Sequence, residues 1–434
     1  MSSVHIVGGG IAALSAAVEL APQAEIFLYE AAAICGGRAR SFYDSQLESY
    51  IDNGNHLILS GNQYLLRYLD LIGSRDRLKD QGKGFFPFFD LERQKAWNLS
   101  LSSGKIPFWL FSASCRPPNM KLKELTAFLK FLKAGPETTV SECLESGGLT
   151  DLLLKPLAIS ALNTSVQSGS AALFANIIKE SLMKGGKGCH PLYPVKNLAD
   201  AFIDPALSYL KSFKAHLNFN ARVKEIISEK GRVTGLRIGK KLIPISDEDS
   251  VILATPSHVT RELLPEIQGP DRYESILNLH FSLPFLPLLK GPIAQSGFLG
   301  LNGGIAEWIF VKDRILSVTI SAANRYSDRS KDSLIKQVWK ELCFALKTVI
   351  EQDLFEIEMP TCRLINEKRA TFEATPLENA KRPGTSTPLL NLVLAGDWIA
   401  TSLPSTLEGA VRSGLAAVGE LGFRSAISEG YHPA

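Results

Sequence analysis

Three apolar, strand-like runs that each stop at a residue suited to gripping a nucleotide predict an α/β fold. Val4-His5-Ile6-Val7 runs into Gly8-Gly9-Gly10, Ile26-Phe27-Leu28-Tyr29 ends at Glu30, and Leu392-Val393-Leu394-Ala395 ends at Gly396-Asp397-Trp398. The Ala-rich stretch Leu14 to Leu20 between the first two makes a strand, a helix and a parallel strand. Because the pattern returns near the C-terminus, the Rossmann-like domain is discontinuous, with long stretches inserted between its parts.

Each element of the first block has a physical reason. Gly8 permits the tight turn from strand to helix, Gly10 lets the backbone approach a pyrophosphate at the helix N-terminus, and Ala13 is the small third position that helix-on-strand packing needs. Glu30 can hold ribose hydroxyls. Gly36-Gly37-Arg38 adds what a plain NAD domain does not call for: an arginine on a loop freed by two glycines, with a planar fork suited to phosphate oxygens. That favours FAD. The second block holds the strands Ala221 to Ile227, with Val223 as a further cofactor contact, then Val233 to Ile238 and Val251 to Ala254. In the third, Asp397 stands where a carboxylate can accept from a ribityl hydroxyl. Gly409-Ala410 open a helix, Glu408 to Leu421, whose first amides are expected to face the flavin's N1 and O2 edge.

The expected division is therefore 1–70, 206–265 and 389–425 for the FAD domain, and 71–205 with 266–388 for an α+β substrate domain. The insertions carry helical segments, Lys121 to Lys133 and Ser333 to Glu351, and strands around Trp308-Ile309-Phe310 and Leu316 to Ile320.

At 434 residues the chain exceeds what one core usually fills. Lys+Arg 47 against Asp+Glu 44 gives +3 without long single-sign blocks, which argues against a nucleic-acid partner. The six cysteines form no C-x-x-C pair and no metal-spaced cluster, so they read as packing residues of a reducing, cytoplasmic environment and no metal is expected. No apolar run approaches the eighteen or so residues of a spanning helix.

The glycine motifs, Glu30, Arg38 and Gly396-Asp397-Trp398, with Pro404, Glu408-Gly409-Ala410 and Arg412-Ser413-Gly414, resemble the flavin amine oxidase and carotenoid desaturase superfamily. Within it the chain is most similar to the squalene-associated branch, the hydroxysqualene dehydroxylases of bacterial hopanoid biosynthesis. This resemblance rests on Asp52-Asn53-Gly54-Asn55-His56-Leu57, Lys155 to Thr164, Trp308-Ile309-Phe310 and Gly396 to Pro404. Gln is usual in that branch where Asn55 stands, and Pro where Ser165 follows Asn163-Thr164.

The resemblance implies removal of an allylic hydroxyl from hydroxysqualene by reduced FAD, giving squalene. A C30 polyprenyl alcohol calls for a long apolar site with few polar groups. Hydroxide is a poor leaving group, so a general acid is needed as hydride arrives from N5. His56 is the first candidate for that acid, and Asp52 either orients it or acts itself. Asn163 reads as a helix C-cap or a contact for the substrate hydroxyl, and Trp398 as core.

Phe85 to Phe89, Ile106 to Phe111 and Phe281 to Leu289, interrupted by prolines and near Lys83, Lys105, Lys121 and Lys123, suggest peripheral membrane contact at the cytoplasmic face of the inner membrane. A separate electron donor must re-reduce the flavin. Two alternatives stay open: a carotenoid-type desaturase or amine oxidase running the electrons the other way, and a prenyl-lipid escort protein that binds without catalysis.

Overall fold

A computed structural model of the chain describes residues 2–104 and 106–427. Its first sheet has five parallel strands in the order His216–Asn218, Glu25–Tyr29, Ser3–Val7, Ser250–Leu253, Leu392–Leu394. Val4, Ile6, Leu28, Ile252 and Leu253 are fully buried, as expected of parallel strands covered on both faces. On one face the Ile11–Leu20 helix packs against the Leu407–Glu420 helix. They close tightly at Gly414, where a Cβ would stand 2.2 Å from Ser15 Oγ and 2.4 Å from the Ala12 carbonyl oxygen. The other face is covered by a three-stranded antiparallel sheet, Val223–Glu229, Arg232–Ile238 and Lys241–Pro244.

The limits expected at residues 70 and 206 fall inside the helices Gln63–Leu71 and Asp204–Ser212. Leu65, Leu69, Ala206 and Leu210 of those helices share one core with Leu14, Ile26, Ile252, Phe202 and Ile203. The core of the parallel sheet thus draws in more chain than the strand motifs mark, because an amphipathic helix announces its apolar face but not the sheet that face will cover.

The second sheet joins both insertions. Its seven strands run in the order Cys362–Phe372, Tyr273–Ser282, Ile315–Ile320, Trp308–Lys312, Phe298–Asn302, Phe85–Asp90, Lys95–Ser100. All neighbours are antiparallel except Phe298–Asn302 on Phe85–Asp90, where Gly300 lies opposite Phe88 and a Cβ would come within 2.4 Å of the Phe88 ring. Phe85 to Phe89 is therefore a strand, not the membrane-facing stretch that its proline suggests. Pro87 is tolerated because pairing to Phe298–Asn302 begins one residue later, at Phe88.

One face of this sheet is sealed by the Lys331–Leu346 helix, whose Leu334, Val338, Leu342 and Leu346 pack on Leu279, Phe281, Ile309 and Val318. That helix starts two residues before the expected Ser333, because Ser330 caps it by accepting from the Ser333 amide at 3.2 Å. Lys121 to Lys133 splits into a 3-10 turn, Leu122–Leu125, and a short helix, Thr126–Leu132. The opposite face of the second sheet looks toward the parallel sheet across a cavity.

Candidate active site

The cavity, about 990 Å³, is lined at one end by Gly8, Gly9, Gly10, Glu30, Gly37, Arg38 and Asp397, and at the other by Phe86, Phe88, Leu153, Leu157, Trp308 and Phe310. At the first end the main chain does most of the shaping. Gly8 has φ +112°, and a Cβ there would sit 2.7 Å from the Ala254 carbonyl oxygen, so the turn admits glycine alone. A Cβ on Gly10, by contrast, would meet no protein atom within 4 Å; it would point into the cavity. The second glycine pair folds onto the first: the Gly36 amide donates to the Gly9 carbonyl at 2.8 Å, and Gly37 (φ +56°) abuts the Gly10 Cα. Ala13 is fully buried behind this turn.

Glu30 ends its strand with one carboxylate oxygen accepting the Ala32 amide at 2.7 Å, while the residue lines the cavity. Val223 lines it too. Arg38 donates to the Ala370 carbonyl at 2.5 Å and to Asp397 Oδ1 at 2.6 Å, which links residues 359 apart in the chain. Burial disfavours the Arg38 cation, but the Asp397 carboxylate and then Glu367 outweigh that and hold it charged.

Gly409 and Ala410 do not present the amides expected of them. Their N–H groups are spent inside the helix, on Thr406 Oγ1 at 3.0 Å and the Thr406 carbonyl at 2.9 Å. The donors left for a ligand at this helix N-terminus are those of Leu407 and Glu408, two residues earlier, since capping takes the third amide and the ladder the fourth. The Glu408 carboxylate turns away and accepts from the Leu65 amide at 2.8 Å and from Arg412 Nε at 2.9 Å.

The residues present fit a dinucleotide flavin. A glycine cradle opens at a helix N-terminus for the pyrophosphate, an acidic strand end stands by for ribose, and a second helix N-terminus beside Asp397 faces the same space.

The two catalytic candidates separate. His56 lines the cavity, but burial pushes its pKa down to about 4; Asp52 opposes the shift, while Arg38 and Lys312 add to it. It is therefore a neutral imidazole at pH 7, where an ordinary histidine would still be partly protonated. Asp52 is 4% exposed and absent from the cavity wall. Its oxygens accept from Ser41 Oγ at 2.6 Å, the Leu198 amide at 2.8 Å and Lys312 Nζ at 2.8 Å. Asp52 is a structural hub, so neither acid nor His56-orienter fits it.

Asn163 ends the Lys155–Leu162 helix in the left-handed conformation (φ 49°). Its side chain is committed to the Ala322 amide at 2.6 Å and Thr371 Oγ1 at 2.9 Å, which leaves the cap reading. Trp398 donates to the Thr255 carbonyl at 2.9 Å and is 3% exposed.

From the cavity wall Asn55 reaches a polar row on the second sheet that no local motif announces. Asn278 and Thr319 face each other across neighbouring strands, as do His280 and Ser317. Asn55 donates to Ser317 Oγ at 2.7 Å and Thr319 Oγ1 at 3.1 Å. Ser317 in turn meets His280 Nδ1 at 2.8 Å, and burial pushes the His280 pKa down to about 4. The signal available in sequence was polar residues interrupting otherwise apolar strands.

Fold and site together define an FAD-binding oxidoreductase of the amine oxidase class. The family pattern described as flavin containing amine oxidoreductase matches residues 11–421. The hydroxysqualene dehydroxylase of Zymomonas mobilis is 41% identical over 95% of this chain and 97% of its own length. That of Sinorhizobium fredii is 37% identical over 95% and 96%. Cyclohexylamine oxidase from Brevibacterium oxydans superposes with a TM-score of 0.69 at 15% identity, covering 97% of this chain and 99% of that one. The chain belongs to the flavin-containing amine oxidoreductase family and, within it, to the hydroxysqualene dehydroxylases. Its cofactor is FAD, and it is an enzyme rather than a lipid escort.

Proposed function

We propose that this enzyme removes the allylic hydroxyl of hydroxysqualene to give squalene. The observation that carries the reading is the cavity: one continuous space whose nucleotide end meets an apolar end walled by Phe86, Phe88, Leu157, Trp308 and Phe310, with polar groups gathered near His56. A long polyprenyl alcohol has that distribution of polarity, and the relatives in Z. mobilis and S. fredii bear the name of this activity over nearly their whole lengths.

Reduced FAD, when bound, supplies the hydride. The balance is then alcohol plus hydride plus proton to hydrocarbon plus water. The Gly8-Gly10 turn and Gly36-Gly37 would hold the pyrophosphate, Glu30 the ribose, and Arg38 and Asp397 the stretch between phosphate and flavin. The Leu407 and Glu408 amides would serve the flavin ring. Val223 would contact the adenine side. His56 passes the proton to the departing oxygen; being neutral at rest, it is charged only transiently and is then a strong acid. The apolar walls keep water from the allylic cation before hydride reaches it.

The polyprenyl substrate reaches the site from a bilayer. Ile106, Phe108 and Phe111 are 60%, 62% and 79% exposed, the exposed Lys121 and Lys123 follow about ten residues on in the chain, and this surface rests on the cytoplasmic leaflet. Lys105 lies outside the described residues. No helix among the described residues is long and apolar enough to cross a membrane. A separate electron donor re-reduces the flavin.

The test is anaerobic mixing of photoreduced holoenzyme with hydroxysqualene. Flavin reoxidation with stoichiometric squalene supports the reading, and neither appearing would end it.

A further inference from the structure

Hydrogen-bond direction around Asn55 can be worked out from groups that have no choice. The Asn53 carbonyl can only accept, and it takes Asn278 Nδ2 at 2.9 Å. That turns Asn278 Oδ1, also only an acceptor, toward Thr319, so the Thr319 hydroxyl proton goes to Asn278 at 3.0 Å. Thr319 Oγ1 then has only lone pairs to offer Asn55, which must present Nδ2 to it at 3.1 Å, and the same Nδ2 reaches Ser317 Oγ at 2.7 Å. The amide cannot flip without losing its bond to Thr319, whose only hydroxyl hydrogen is already committed to Asn278. Its Oδ1 is left with no donor among the described residues, on the cavity wall next to His56. Gly54 is part of the device: a Cβ there would press within 3.0 Å of Asn278 Nδ2, the group that starts the chain of direction.

We infer that the Asn55 side-chain carbonyl accepts the hydrogen of the substrate's hydroxyl, which makes Asn55 the residue that tells the alcohol from the hydrocarbon product; the inference rests on the substrate proposed above. Held by its hydrogen, the hydroxyl turns its lone pairs outward to be protonated. Once the oxygen leaves as water, the squalene product has no donor, and Asn55 Oδ1 no longer retains it. Thr319 and Asn278 are positioning residues that keep the carbonyl, not the NH2, in the cavity.

The experiment is equilibrium binding of hydroxysqualene and of squalene to oxidised holoenzyme, followed through the flavin absorbance, with turnover of wild type measured alongside. In Asn55→Leu, which keeps the volume, the preference for alcohol over hydrocarbon should fall about tenfold, the loss arising in the alcohol's affinity. Thr319→Val leaves Asn55 in place but frees it to turn, and should lower the preference severalfold. A preference within about twofold of wild type in flavin-replete Asn55→Leu would overturn the inference, since one lost hydrogen bond exceeds that. If Asn55→Leu does not retain flavin, the ratio in Thr319→Val decides in the same way. If wild type binds the alcohol but forms no squalene, the proposed reaction fails, while the two binding ratios still judge Asn55.

Discussion

At the nucleotide end of the cavity glycine and main chain shape the turns, with the side chains of Glu30, Arg38 and Asp397 around them; at the apolar end the wall is made by side chains on four strands, a helix and a loop. The first end is shaped by what is missing, since a methyl group on Gly8 or Gly9 would strike Ala254 or Cys35. The second is shaped by what is present, the amide of Asn55 and the hydroxyls of Ser317 and Thr319. Damage should therefore take opposite forms, through added atoms at one end and removed atoms at the other.

The largest effect is expected at Gly8. Gly8→Val forces a branched side chain into φ +112° against the Ala254 carbonyl. It should cost at least about 1–3 kcal/mol in backbone strain, and the protein should purify colourless and melt early. Gly10→Ala is its counterpart. The new methyl meets no protein atom, so the melting temperature of the flavin-free protein should hold while FAD affinity drops about tenfold or more. Equal flavin affinity in Gly10→Ala would mean that the pyrophosphate does not pass there.

Next in size is His56→Ala, which should slow single-turnover dehydroxylation of reduced enzyme on the order of a hundredfold while leaving FAD in place. The pH profile sharpens this. With the His56 pKa at about 4, its protonated fraction rises about tenfold for each unit that pH falls between roughly 8 and 5. The chemical step should accelerate with acid accordingly and level off near pH 4, and the dependence should vanish in His56→Ala. A wild-type rate that is flat or rises with pH would remove His56 as the acid.

Glu30→Ala and Arg38→Lys should each weaken FAD retention, by up to about tenfold; the lysine keeps charge but cannot span Asp397 and the Ala370 carbonyl as a fork does. The last is a stability effect, small at neutral pH. His280 is held neutral in the fold with a pKa of about 4 against an ordinary 6.5, so below 6.5 the unfolded chain binds the extra proton. Its contribution is intact above pH 6.5 and is lost at about 1.4 kcal/mol per unit as pH falls toward 4. Urea titrations of His280→Gln across that window should show a shallower acid slope than wild type; identical slopes would assign the loss to other groups.

The contrast between the two ends also explains what could be read from the chain alone. Gly8 to Ala13, Glu30, Gly36 to Arg38 and Asp397 are local: each sits at or just past a strand end, within a few residues of its structural reason, whereas the order of the parallel sheet and its His216–Asn218 edge strand carry no such mark. That the free amides are those of Leu407 and Glu408 rather than Gly409 and Ala410 is not legible, because which amides a cap takes depends on Thr406, a rotamer and not a pattern. Asp52 looks catalytic beside His56 in sequence, yet it ends the Ser49–Asp52 strand, the chain bends at Asn53-Gly54 before His56, and Lys312, 260 residues away, claims the carboxylate. Asn278, Ser317 and Thr319 carried no motif because their meaning is cross-strand register, which only pairing creates.

The wiring of the parallel sheet has a consequence for how the protein comes to exist. The Ser3–Val7 strand pairs on one side with Glu25–Tyr29, but on the other it waits for Ser250–Leu253; Ser3 and Asp249, which bond in the finished molecule, are 246 residues apart. At ribosomal speeds of about 5–20 residues per second, that edge stands open for on the order of 10–50 s. The Phe85–Asp90 strand has its own wait, for the Phe298–Asn302 strand that seats Gly300 against Phe88. While the chain grows from Asp90 to Leu253 it therefore shows two unmated strand edges and the phenylalanines of an unfinished wall. Its yield in a cell should depend on holdase chaperones more than that of a protein whose strands mate in order of appearance.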